Sequence, residues 1–147
     1  MTLFTGKYEC KMDAKGRLAL PSKIKSKLPE VSGNQLVLSL GFEPCLVLYT
    51  LVEWNKISSQ VASKNQFDEE SRHLQRNFFR RSTELELDGA GRLLIQKTMA
   101  VYAKLEKEII IVGMGNRLEL WNPDVCQDFI IKDNLEYSKL AQKHLVE

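Results

Sequence analysis

The stretch "MDAKGRLALP", Met12 to Pro21, returns later in the chain as "LDGAGRLLIQ", Leu87 to Gln96. Asp13, Gly16, Arg17, Leu18 and Leu20 align with Asp88, Gly91, Arg92, Leu93 and Ile95, and 75 residues separate the two aspartates. Further along the offset falls to 72: Gly41 aligns with Gly113, Leu46 with Leu118, Leu48 with Leu120 and Tyr49 with Trp121. The loop around Ser32–Gln35 is accordingly read as longer in the first copy. A match spanning about 45 residues per copy is an architectural repeat rather than a stray motif.

Each copy has the same local grammar. Alternating apolar and polar residues before the motif, "KYECKM" and "TELEL", predict a strand. Asp-x-x-Gly predicts a turn, because Asp accepts backbone N–H bonds and Gly takes a positive φ angle. "RLAL" and "RLLI" predict the returning strand. Pro21 then opens a helix over Ser22–Leu28, with Ile24 and Leu28 as an apolar pair facing the core. Pro21 is matched by Gln96, which leaves the start of the second helix less defined. The strands "QLVLSL" and "LVLYT", and in the second copy "EIIIVG" and "RLELW", are followed by short helices over Leu51–Ile57 and Pro123–Ile130. The reading is β-turn-β-α-β-β-α, twice, an α+β and β-rich fold. Its domain plan is a first repeat over 4–57, a connecting helix over 58–81, a second repeat over 82–132 and a tail over 133–147.

In the connecting segment "FDEESRHLQRNFFRR", Asp68 is placed to cap a helix. Phe67, Leu74 and Phe78 form a stripe with Phe79 beside it, which needs either core or a subunit to cover it. The tail is weakly helical, with Leu135, Leu140 and Leu145 along one edge. Small sheets expose pairing edges, and two equivalent halves sharing one barrel remove them.

The chain of 147 residues has no apolar run long enough to cross a bilayer and no signal-peptide pattern, so an intracellular protein is expected. Cys10, Cys45 and Cys126 are widely spaced and, like His73 and His144, lack ligand spacing. They read as packing or solvent-facing residues, with no metal and no cofactor implied. Nucleotide-loop and hydrolase motifs are absent, so no enzyme is expected. The net charge is only +2 but unevenly spread. Met1–Leu28 holds seven Lys/Arg against two acids, whereas Ser82–Glu108 holds four against five. A local basic patch suggests a polyanion on one face.

Within that patch Arg17 offers a planar fork able to grip a phosphate or the O6/N7 edge of guanine. Gly16 permits close backbone approach, and Lys11, Lys15 and Lys23 can neutralise flanking phosphates. A carboxylate repels DNA, so Asp13 is assigned to the turn, orienting Arg17 by a charge-assisted bond. Asp88 and Gly91 are the equivalent turn-makers of the second copy. Arg92 is open between a structural and a DNA-contacting role, because Ala90 stands where the first copy has Lys15.

The paired turns, together with "CLVLYTLVEW" and "RLELWNPDV", resemble the tandem motif of the MraZ family of bacterial transcriptional regulators, over about Phe4 to Phe129. The resemblance implies an AbrB-like swapped-hairpin barrel in which one chain supplies both interlocking units. It also implies a cytoplasmic, nucleoid-associated protein that binds double-stranded DNA at short direct repeats upstream of its own division and cell-wall gene cluster. Ring-like homo-oligomers follow from the same resemblance, with no membrane and no small-molecule substrate. Carried over by motif, the contacts fall on Lys15, Gly16, Arg17 and Arg92, and Ala90 makes the second hairpin the weaker one. The alternative expectation is an assembly protein on the same barrel that does not touch DNA.

Overall fold

The computed structural model describes residues 3–29 and 34–145. The first copy runs β1 (Lys7–Lys11), β2 (Arg17–Ala19), α1 (Ser22–Lys25), β3 (Gln35–Leu40), β4 (Leu46–Thr50) and α2 (Leu51–Ala62). After α3 (Glu69–Phe79) the second runs β5 (Ser82–Glu86), β6 (Arg92–Leu94), α4 (Lys97–Tyr102), β7 (Glu108–Gly113), β8 (Leu118–Trp121) and α5 (Pro123–Gln127). Helix α6 (Asn134–Leu145) follows. The order expected from the repeat is the order found.

The copies exchange their first strands. In the six-stranded sheet, of order β1-β7-β8-β4-β3-β5, every pairing is antiparallel. Strand β1 lies on β7 of the other copy, with Lys7 opposite Val112, and β5 lies on β3, with Glu86 opposite Gln35. The copies meet at β4 and β8, where Leu46 faces Leu120 and Leu48 faces Leu118. From each sheet edge a hairpin carries the chain into a separate two-stranded ribbon, β2 on β6. The ribbon closes the barrel across the two copies, while β1 and β5 remain the outer strands of the six-stranded sheet.

Period-two alternation sorts the residues. Leu18, Leu36, Leu38, Leu46, Leu48, Leu93, Ile109, Ile111, Leu118 and Leu120 point inward and are almost wholly buried, joined by Ile24 from α1. The alternate residues Val47, Ile110 and Trp121 pack with Cys45 and Cys126 in a second cluster against α5. Both faces of the central strands are thus covered, which explains their near-continuous apolar runs. Burial, with Glu119 and Glu43 nearby, pushes the Cys45 thiol up to about 12.

Several boundaries differ from expectation. Helix α1 stops at Lys25; the chain continues through i→i−3 bonds, Lys27 N–H to Ile24 O and Leu28 N–H to Lys25 O, up to Pro29. Helix α5 likewise ends at Gln127, with Phe129 N–H donating to Cys126 O. Helix α2 extends past Ile57 to Ala62, and Gln75 of α3 donates to the carbonyls of Val61 and Lys64 at its end. The registers make Gln35 equivalent to Glu108 and Leu46 to Leu118, so Gly41 corresponds to Met114 rather than to Gly113. One residue of the length difference therefore lies between β3 and β4. The loop expected to be longer, Ser32–Gln35, falls partly outside the described residues. Gln96 starts α4 as firmly as Pro21 starts α1: the two share one backbone geometry (φ −62, ψ 145 and φ −55, ψ 144), and neither uses a side-chain cap.

Asp68 caps α3 by accepting from Ser71 N–H. Phe78 stacks on Trp54 of α2 at 5.2 Å, and Phe79 meets both rings edge-on. Phe67 and Leu74 remain exposed, at 84% and 48%. Helix α6 is also exposed along Leu135, Leu140 and Leu145.

Leu18 and Leu93 face one another at the centre of the ribbon, each fully buried. Leu18→Ala or Leu93→Ala is expected to cost about 2–5 kcal/mol. The double variant should cost less than the sum, because the two side chains share one contact region. Urea unfolding midpoints measure both effects.

Candidate nucleic-acid interface

The two turns are built identically. In the first, Asp13 N–H donates to Arg17 O (2.9 Å) and Gly16 N–H to Asp13 O (3.0 Å), closing a three-residue loop with Gly16 at φ +84°. The Asp13 carboxylate fills the loop, accepting from Lys15 N–H and Arg17 N–H at Oδ1, both 2.9 Å, and from Arg17 Nε–H at Oδ2, 2.8 Å. In the second, Asp88 accepts from Ala90 N–H, Arg92 N–H and Arg92 Nε–H, all at 2.9 Å, with Gly91 at φ +75°. The two aspartates do not pair with each other as a carboxylate dyad; each is committed to its own arginine.

That commitment sets the electrostatics. The Arg17 backbone N–H, then its guanidinium and the Lys15 N–H, hold the Asp13 carboxyl below the usual carboxylate range against a smaller opposing desolvation. Arg92 and Ala90 do the same for Asp88. Each guanidinium is tied by Nε and keeps its Nη edge for another acceptor; among the described residues no hydrogen bond from that edge is found in either arginine.

Strand pairing then places both arginines on one surface. Arg17 is opposite Leu94, Ala19 opposite Arg92, and Leu18 opposite Leu93. Since the two leucines point into the core, Arg17, Ala19, Arg92 and Leu94 share the outer face. The turns lock reciprocally as well: Ile95 N–H donates to Gly16 O at 2.8 Å and Leu20 N–H to Gly91 O at 3.3 Å.

Lys15 is exposed at the tip of the first turn, Lys11 ends β1 opposite Glu108, and Lys23 is exposed on α1. Gly16 has a structural explanation of its own, because a Cβ there would lie 2.8 Å from Ile95 O. Lys25 escaped the sequence reading. Counted with the first copy, it lies over the second turn, its Nζ 2.6 Å from where a Gly91 Cβ would stand. Only the cross-copy packing of α1 reveals this. Beside it Glu86, Asp88 and Gly89 line an open cleft of about 820 Å³.

Comparison with known proteins settles the family. The family model for the MraZ protein, of antitoxin-like description, matches twice, over residues 3–77 and 78–145. The chain belongs to the MraZ family. The Transcriptional regulator MraZ of Cytophaga hutchinsonii is 52% identical over 145 residues, covering 99% of this chain and 96% of the relative. That of Hydrogenovibrio crunogenus is 41% identical, covering 84% and 82%. That of Alkaliphilus metalliredigens is 33% identical, covering 96% of both. The tandem match coincides with the two MraZ units whose strands exchange in this barrel.

Two outcomes are expected from the turns. Gly16→Ala should destabilise more than Gly91→Ala: both force a side chain into positive φ, at about 1–2 kcal/mol, but only the first also meets rigid backbone. Thermal or urea unfolding of both variants makes the comparison. Second, a carboxylate with a depressed pKa stabilises the fold above its ordinary value, and that contribution disappears as pH falls through the lowered one. Asp13→Asn should therefore be less stable than wild type near neutral pH, with the gap closing below the ordinary aspartate range. Urea midpoints measured across pH test this.

Proposed function

We propose that this chain is a sequence-specific DNA-binding transcriptional regulator. The observation that carries the reading is the single outward face of the β2–β6 ribbon, which presents Arg17 and Arg92 together, half-exposed, with Nε held by the aspartates and no hydrogen bond from Nη among the described residues. A two-stranded ribbon is narrow enough for the major groove, and an arginine fork matches guanine O6/N7 or a phosphate. In this reading Lys15, Gly16 and Arg17 contact DNA directly, Lys11 and Lys23 contact phosphates, and Arg92 adds the second hairpin. Asp13, Asp88 and Gly91 hold the turns in shape. The names of the relatives, Transcriptional regulator MraZ, support the same class.

The target in this reading is short direct repeats upstream of the chain's own division and cell-wall gene cluster, which it represses from the cytoplasm and nucleoid. One ribbon covers few base pairs, so several ribbons in a ring-like oligomer gain effective concentration on repeated sites. The chain acts by binding, without catalysis and without a cofactor. A second reading, an assembly protein that ignores DNA, is favoured by one observation: Phe67 and Leu74 of the α3 segment are left uncovered.

Arg17→Ala is expected to lose about 1–3 kcal/mol of specific binding per hairpin while the oligomer stays intact. Gel shifts on the upstream DNA at stated salt, with competitor DNA, and light scattering measure the two quantities. Unchanged affinity in this variant overturns the reading, and the absence of any salt-dependent retention of the wild type on DNA decides for the assembly protein.

A further inference from the structure

The two turns share backbone geometry and the Asp–Arg bond, but the second lacks a lysine at its tip, where Ala90 replaces Lys15. Its missing charge is supplied from elsewhere. The Lys25 side chain crosses from α1 of the first copy onto the second turn: Nζ, Cδ and Cε lie 2.6, 2.8 and 3.2 Å from a Cβ placed on Gly91. A glycine at that point is what makes room for the lysine stem. The first turn receives no reciprocal gift, since Ala100 of the second copy stands where Lys25 does in the first, and Gly16 meets Ile95 O instead.

We propose that Lys25 is a phosphate-contacting residue of the second hairpin, taking the part that Lys15 plays in the first. This rests on the DNA-binding reading above and adds to it a residue and a pairing. Lys25 is exposed, and among the described residues it forms no salt bridge. Asp88, its acidic neighbour in the cleft, already accepts from Arg92 and from two backbone N–H groups. Glu86 lines the same cleft but lies beyond 4 Å from the ammonium, too far for a salt bridge. Each hairpin therefore carries one aspartate-anchored arginine and one exposed lysine. Each tip thus carries one lysine although the sequence places both in the first copy; the flanks still differ, since Lys11 of the first copy is matched by Glu86 in the second. A single phosphate contact neutralises charge without reading bases, so its loss weakens specific and nonspecific binding alike.

The test uses the full chain, a duplex from the region upstream of its gene, and a random-sequence duplex of equal length, titrated over a range of salt. Lys25→Met keeps the stem over Gly91 and removes the charge. It should weaken binding to both duplexes by a similar factor and flatten the slope of log K against log salt by about 0.9 per hairpin engaged. Lys25→Arg should bind as wild type, and Lys25→Met with Ala90→Lys should regain affinity by putting the charge back on the same turn. Melting temperatures confirm that each variant is folded. Wild-type affinity and slope in Lys25→Met, with binding lost in Arg17→Ala, overturn the proposal and leave the DNA-binding reading standing. Wild-type binding in both variants overturns the two together. A loss confined to the upstream duplex, or no rescue by Ala90→Lys, overturns the phosphate role.

Discussion

Everything in this fold hangs on a three-residue ribbon. Strands β2 and β6 are each too short to be stable alone, and they persist because Leu18 and Leu93 anchor them in the core. At either end a turn glycine carbonyl accepts from the other copy's backbone, Gly16 O from Ile95 and Gly91 O from Leu20. The ribbon is at once the closure of the barrel and the platform of the candidate interface. Any change that loosens the closure also loosens the arginines.

The Asp–Arg bond gives that platform its precision. An unanchored arginine has several rotatable bonds to freeze on binding, at a cost in conformational entropy. Here Nε is fixed by the aspartate at 2.8 Å in one turn and 2.9 Å in the other, so the planar fork is aimed before any ligand arrives. The carboxylate's presence on a basic surface is thus consistent with binding a polyanion.

Much of this was legible in the sequence, for physical reasons that can be named. Asp-x-x-Gly-Arg specifies a turn by local hydrogen bonding alone, and alternation around Leu18 and Leu93 specifies which face is buried. The doubled motif identified the shared barrel, because equivalent halves are what a closed pseudo-symmetric sheet needs. What escaped was whatever depends on which copy touches which. Lys25 was assigned to the basic first copy because charge was counted along the chain, whereas packing delivers it to Gly91. The length of α2 was missed because its end is secured by Gln75, a residue of the following helix. The Gly41–Gly113 alignment failed for a related reason: Gly113 is required by the crossing of the chain at Phe4 and Thr5, a contact that Gly41 does not make.

Strand exchange within one chain also fixes an order of events during synthesis. Strand β1 leaves the ribosome well before its partner β7, which ends at Gly113. Lys7 must therefore wait for Val112, 112 − 7 = 105 residues later, before its backbone groups find their pairs. Such long-range closure is slow and leaves an unpaired strand exposed in the meantime. The polar, half-exposed sequence "KYECK" suits that interval, since a strand with two lysines and a glutamate offers a poor template for pairing with a neighbouring nascent chain.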